Sequence, residues 1–85
     1  MNNLLIEIAK RLVCKAIKVN TEEYNVEISY KFIGNAGAIT VCIFREQSFV
    51  ESFYFYDDNP HNQGHLGQFR YILRKINKGS KKWKL

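Results

Sequence analysis

The sequence predicts an α+β fold: a single small domain in the order helix, three-stranded antiparallel meander, helix (αβββα), with both helices covering one sheet face. Three observations predict it. Apolar residues recur at helical spacing in residues 4–18 and again after residue 64. Between these segments, residues 24–33 alternate apolar and polar with period two. The predicted strands are joined by short connections, which favours sequential pairing, and a sheet with one apolar face needs a cover.

Residues 4–18 place Leu5, Ile8, Ala9, Leu12, Val13 and Ala16 on one arc of a helix and Glu7, Lys10, Arg11, Cys14 and Lys18 opposite. Asn2 or Asn3 is the expected N-cap. In the first strand, Tyr24, Val26, Ile28, Tyr30 and Phe32 face one way. Gly34-Asn35-Ala36-Gly37 forms a four-residue hairpin loop. A second strand, 38–44, turns Ile39, Val41 and Ile43 inward, and Arg45-Glu46-Gln47-Ser48 reverses the chain. A third strand, 49–56, puts Phe49, Phe53 and Phe55 on the core face and Val50, Ser52, Tyr54 and Tyr56 on the other. After a break at 57–64, a helix to about Asn77 buries Leu66, Phe69, Ile72, Leu73 and Ile76, with Gly79 as its stop. The domain is expected to span 1–79 and residues 80–85 to form a basic flexible tail.

An 85-residue chain buries roughly 60–65% of its unfolded surface, which leaves little material for a deep substrate pocket. Cys14 and Cys42 make no disulfide framework, no signal peptide opens the chain, and no apolar run is long enough to span a membrane. The expectation is a cytoplasmic protein with reduced thiols. The net charge of +5 is unevenly placed: residues 1–58 carry six Lys/Arg and all eight Asp/Glu, whereas residues 59–85 carry seven Lys/Arg and no acid.

The stretch FYFYDDNPHNQGH, residues 53–65, brings Asp57, Asp58, His61 and His65 within nine positions. Two histidines and a carboxylate suit zinc or manganese. Pro60 and Gly64 keep the two histidines off one helix, and Asp-Asp-Asn-Pro is turn chemistry, so the donors read as turn-formers with His65 opening the helix. Gly34-Asn35-Ala36-Gly37 matches a GxxG pattern, but it lies between strands without a basic residue and reads as a turn. Cys14, between Lys10 and Lys18, has no histidine nearby in sequence to act as a base. With no nucleophile elbow, P-loop or dinucleotide fingerprint, no enzyme and no cofactor is expected.

The basic C-terminal segment carries the main functional signal. Arg70, Arg74, Lys75, Lys78, Lys81, Lys82 and Lys84 fall within a short stretch with Tyr71 and Trp83 among them, a pattern suited to phosphates with an interleaved stacking ring. A nucleic acid or an acidic protein surface is the expected partner. The second candidate surface is the outer sheet face, where Tyr54 and Tyr56 neighbour Phe44. Left open, it would bind a protein or a second copy of the chain, as a homodimer.

The element order resembles that of double-stranded RNA-binding domains. Those domains carry a Gly-Pro-x-His loop between their first two strands and a Lys-Lys cluster opening the second helix. Here Gly34-Asn35-Ala36-Gly37 stands at the first place, and Gly79-Ser80-Lys81-Lys82 follows the second helix instead of opening it. The resemblance implies the topology and carries no functional residue across. Two readings follow. One is a non-enzymatic protein gripping nucleic acid or another polyanion through its basic C-terminal helix and tail. The other is a protein-binding regulator or inhibitor, by analogy with small chains of mobile elements or phages, acting through the outer sheet face.

Overall fold

A computed structural model describes residues 2–81. The order is α1 (Asn3–Val19), β1 (Tyr24–Ile33), β2 (Ala36–Arg45), β3 (Ser48–Tyr56) and α2 (Asn62–Lys81). The strands form one antiparallel sheet in the order β1-β2-β3, and both helices lie on the same face of it. The predicted α+β architecture is therefore the observed one.

Each helix begins on a cap that its sequence supplies. Asn2 caps α1, its Oδ1 accepting from Leu5 N–H at 3.0 Å. Leu5, Ile8, Leu12, Ala16 and Val19 then point into the core at helical spacing. Val13, expected inside, is 42% exposed on the flank of α1. In α2 the cap is His61, whose Nδ1 accepts from Gly64 N–H at 2.9 Å, so the helix opens earlier than His65. His65 is buried instead, where its Nε2–H donates to the Asn59 carbonyl at 3.0 Å beside the Phe55 ring.

The core joins those α1 residues to Tyr24, Val26, Ile39, Val41, Ile43 and Phe55 of the sheet and to Phe69, Ile72 and Ile76 of α2. Burying each large aliphatic or aromatic side chain contributes about 1.5–3 kcal/mol. Tertiary burial thus holds two helices that would be marginal alone.

Four features depart from the sequence expectation. The first hairpin loop is the pair Gly34-Asn35, with Ile33 opposite Ala36 and Gly34 at φ 65°. The alternation of β3 is interrupted: Ile43 faces Glu51 but Phe44 faces Phe49, so Val50 is an extra, bulged residue. The bulge turns Phe49 to the outer face, edge-on to Phe44 at 6.1 Å between centroids. Gly79 does not stop α2; it lets the Tyr24 ring approach, since a Cβ at that position would stand 2.6 Å from Tyr24 Cε1. Ser80 and Lys81 therefore belong to α2, with Ser80 Oγ donating to the Asn77 carbonyl, and the rest of the expected tail, 82–85, lies outside the described residues.

The β2–β3 turn consists of Glu46 and Gln47, both in the left-handed region at φ 53° and 68°. A two-residue turn of this kind favours Asn-Gly, and each ordinary L-residue there costs roughly 1–2 kcal/mol. The double substitution Glu46→Asn, Gln47→Gly is expected to stabilise the fold by about 1–2 kcal/mol, raising the thermal midpoint by roughly 4–8 °C per kcal/mol. Thermal unfolding by circular dichroism checks this; an unchanged midpoint contradicts it.

Candidate functional site

Because both helices bury their apolar stripes on one sheet face, both polar arcs are presented on one side of the molecule. Residues 3–19 and 62–81 hold nine Lys/Arg and one acid, Glu7, a net +8. The remaining described residues hold Lys31 and Arg45 against seven Asp/Glu, a net −5. Positive charge is thus concentrated on the helical side, while most of the acids sit in the connecting loops and the outer sheet face carries Glu27 and Lys31, which cancel.

Within the helical layer, α1 and α2 enclose an open groove of about 410 Å³. Arg11, Lys15 and Lys18 line its α1 wall, and Phe69, Leu73 and Asn77 its α2 wall. Glu7 is the groove's acid, and it is engaged by Arg11 Nε at 3.4 Å. Arg70 and Arg74 are exposed on α2, next around the helix from Leu73 and Asn77. Lys75 is committed elsewhere: it pairs with Glu51 and stands 5.9 and 5.7 Å from the Phe53 and Tyr71 ring centroids. Lys78 is exposed, and it shares a surface with Tyr71 and Arg74. Lys82, Trp83 and Lys84 lie outside the described residues; Lys81 is the last residue of α2.

Reading the charge run along the chain missed the four cations of α1, Lys10, Arg11, Lys15 and Lys18. Their signal was present in the polar arc of residues 4–18, which contains one acid. It becomes a site only when topology sets α1 beside α2. Arg45 was missed as well. With Lys75, Lys78, Glu51 and Tyr24 it lines a cavity of about 140 Å³ where the end of β2 meets the last turns of α2. Its Nε is buried and has no hydrogen-bond partner among the described residues. A buried donor left unpaired costs about 1–3 kcal/mol, which an incoming anionic oxygen would offset.

The outer sheet face is uncovered by any described element. Tyr54 and Tyr56 stack at 6.1 Å and 24°, Tyr54 is 39% exposed and Phe49 60%, and Phe44 is half-buried. Beneath them Thr40 is buried, its Oγ1 2.5 Å from Ser29 Oγ. Among the described residues no three His, Cys, Asp or Glu side chains come together to hold a metal ion. Asp57 Oδ1 accepts from Asn2 N–H at 3.3 Å, and both histidines serve the start of α2. No described helix is long and apolar enough to cross a membrane. Set against known proteins, the chain matches no family model, no curated protein and no solved structure.

Tyr24, 1% exposed, anchors the cavity end of the layer. Burial raises its hydroxyl pKa above the ordinary tyrosine value, and the Arg45 charge partly opposes the rise. The unfolded chain releases this proton near pH ~10, while the folded chain keeps it to higher pH. The contribution is therefore whole below about pH 10 and is lost as pH rises through the folded value. Urea midpoints are expected to fall above about pH 10, and more steeply than in Tyr24→Phe. Identical pH profiles would contradict the assignment.

Proposed function

We propose that the chain binds nucleic acid through its helical layer and catalyses no reaction on it. The observation carrying this reading is the layered charge separation, +8 on the helices against −5 on the rest of the described chain. Phosphate recognition needs clustered cations with few competing carboxylates, and the α1 wall of the groove supplies them in Arg11, Lys15 and Lys18. Arg70, Arg74 and Lys78 extend that surface, and Arg45 adds an unpaired buried donor at its end. Lys81, Lys82, Trp83 and Lys84 continue the same basic sequence.

A second reading rests on a separate observation, the stacked Tyr54–Tyr56 pair with Phe44 and Phe49 on an uncovered sheet face. Aromatic anchors of this kind carry protein–protein affinity, and the basic layer would then steer the approach to an acidic partner. In that case the chain acts as a regulator or inhibitor of another protein.

Anisotropy of a labelled duplex oligonucleotide separates the readings. With ~5 phosphate contacts, log K is expected to fall against log salt with a slope of about −4 to −5. Replacing Arg11, Lys15 and Lys18 by Gln should make that slope shallower by roughly 2–3, and deleting residues 82–85 by roughly 2. The pair Tyr54→Ala, Tyr56→Ala should leave it unchanged. No binding at low salt sinks the nucleic-acid reading. Loss on tail deletion alone, with the α1 variant unaffected, removes the helical layer from it.

A further inference from the structure

The free edge of β1 is closed along its first half and open along its second. In an antiparallel strand, alternate residues direct both N–H and C=O to the same side. On β1 the even-numbered residues face away from β2, as their partners show. Thr21 N–H donates to the Tyr24 carbonyl at 2.8 Å, and Tyr24 N–H donates to Thr21 Oγ1 at 3.1 Å. Asn20 does the same with its side chain: Nδ2 donates to the Val26 carbonyl at 3.1 Å, and Oδ1 accepts from Val26 N–H at 2.8 Å. This asparagine occupies the place of a neighbouring strand. Beyond it, Ile28, Tyr30 and Phe32 point their backbone groups outward with no partner among the described residues. The edge of β3 is treated differently, since Gln68 of α2 reaches across to the Tyr54 carbonyl.

The open half of β1 is also the part of the inner sheet face that α1 fails to cover. Tyr30 is 50% exposed and Phe32 71%. The flank of α1 turned away from α2 carries Ile6, Val13 and Ile17, all exposed, and Ile6 and Val13 share an open apolar surface with Tyr30. Together these five side chains expose roughly 500 Å², the size of patch that is often functional on a small protein.

We propose that this corner is occupied by a second copy of the chain, joined by antiparallel pairing of the two β1 strands about a two-fold axis at Tyr30. That axis sets Tyr30 opposite itself and Ile28 opposite Phe32 of the other copy, using every open residue and no closed one. About six inter-chain hydrogen bonds result. Val26 with its Asn20 plug then falls opposite Gly34, where the other copy's strand has already turned, so the plug sets the length of the pairing. The axis runs perpendicular to the sheet and keeps all four helices on one side. Phe32 of each copy lands beside the end of the other's α1, which the Asn20–Val26 bonds hold over β1. Residues 27–33 carry Glu27 and Lys31 and are neutral in sum, Arg11, Lys15 and Lys18 face α2, away from the axis, and Lys10 is the α1 cation at the rim of the corner. The corner falls short of the ~800 Å² per side of a standard interface, so the dimer is reversible, with a dissociation constant on the order of 10–100 μM.

Sedimentation equilibrium and amide exchange at about 20 μM and about 1 mM test this. The mass is expected to rise from one chain toward two. The amides of Ile28, Tyr30 and Phe32 should gain about four- to sixfold protection between the two concentrations, while the Val26 amide, held by Asn20, stays protected at both. Phe32→Lys should stay monomeric throughout with little change in melting temperature, and Ile17→Lys, on the other element, should weaken association independently. A single-chain mass at about 1 mM overturns the proposal. So does a dimer that survives both substitutions with the three amides still exchanging freely, because the contact would then lie elsewhere, as on the outer sheet face.

Discussion

A three-stranded sheet in a chain of this length has one face to bury and two helices with which to bury it. That one-sided burial constrains the rest of the molecule. Leu5, Ile8, Leu12 and Ala16 of α1 and Phe69, Ile72 and Ile76 of α2 are committed to the same surface, so the opposite arcs of both helices must emerge together. Basic arcs that lie far apart in sequence become neighbours for no reason but core packing. The sheet's other face is left with small central residues, Ala38 and Thr40, shielded only by side chains from the flanking strands.

Elements specified by period were legible in the sequence. The alternation of β1 gave its bounds, and the helical stripes gave α1 and α2 with the face each buries. Features specified by a single local bond were less so. The β3 bulge moves Phe49 to the outer face, and nothing in SFVESFYFY announces that Val50 is the surplus residue. Gly79 looked like a helix stop because glycine usually is one, yet here it admits the Tyr24 ring, a contact between elements far apart in sequence. His61 and His65 are donors four apart, and the turn residues around them argue for turn-formers with His65 opening the helix. One caps a helix and the other is sealed against Phe55, roles that depend on where the preceding strand ends.

The candidate site was half legible for a related reason. The charge run of α2 is contiguous in sequence and easy to see. That of α1 is diluted by the apolar residues between Lys10 and Lys18 and is offset, in any running sum, by Glu22, Glu23 and Glu27, which follow it in the chain. Summation along the chain mixes layers that the structure keeps apart. Arg45 shows the same limit at the scale of one residue: it closes a strand in sequence, but in space it meets the last turns of α2.

Segregation by layer also makes net charge a poor description of the molecule. At physiological ionic strength the screening length is about 8 Å, while the shortest principal extent of the molecule is 17 Å. A charged object at one surface is therefore largely blind to the other. Met helix-first, the protein presents the field of a strong polycation; met sheet-first, it presents a face whose charged strand residues, Glu27 and Lys31, cancel. Such a body carries its excess positive charge on one side of its thickness. Near any highly charged surface it experiences a torque before it makes a contact, so its orientation on arrival is set by electrostatics at a distance rather than by trial and error on the surface.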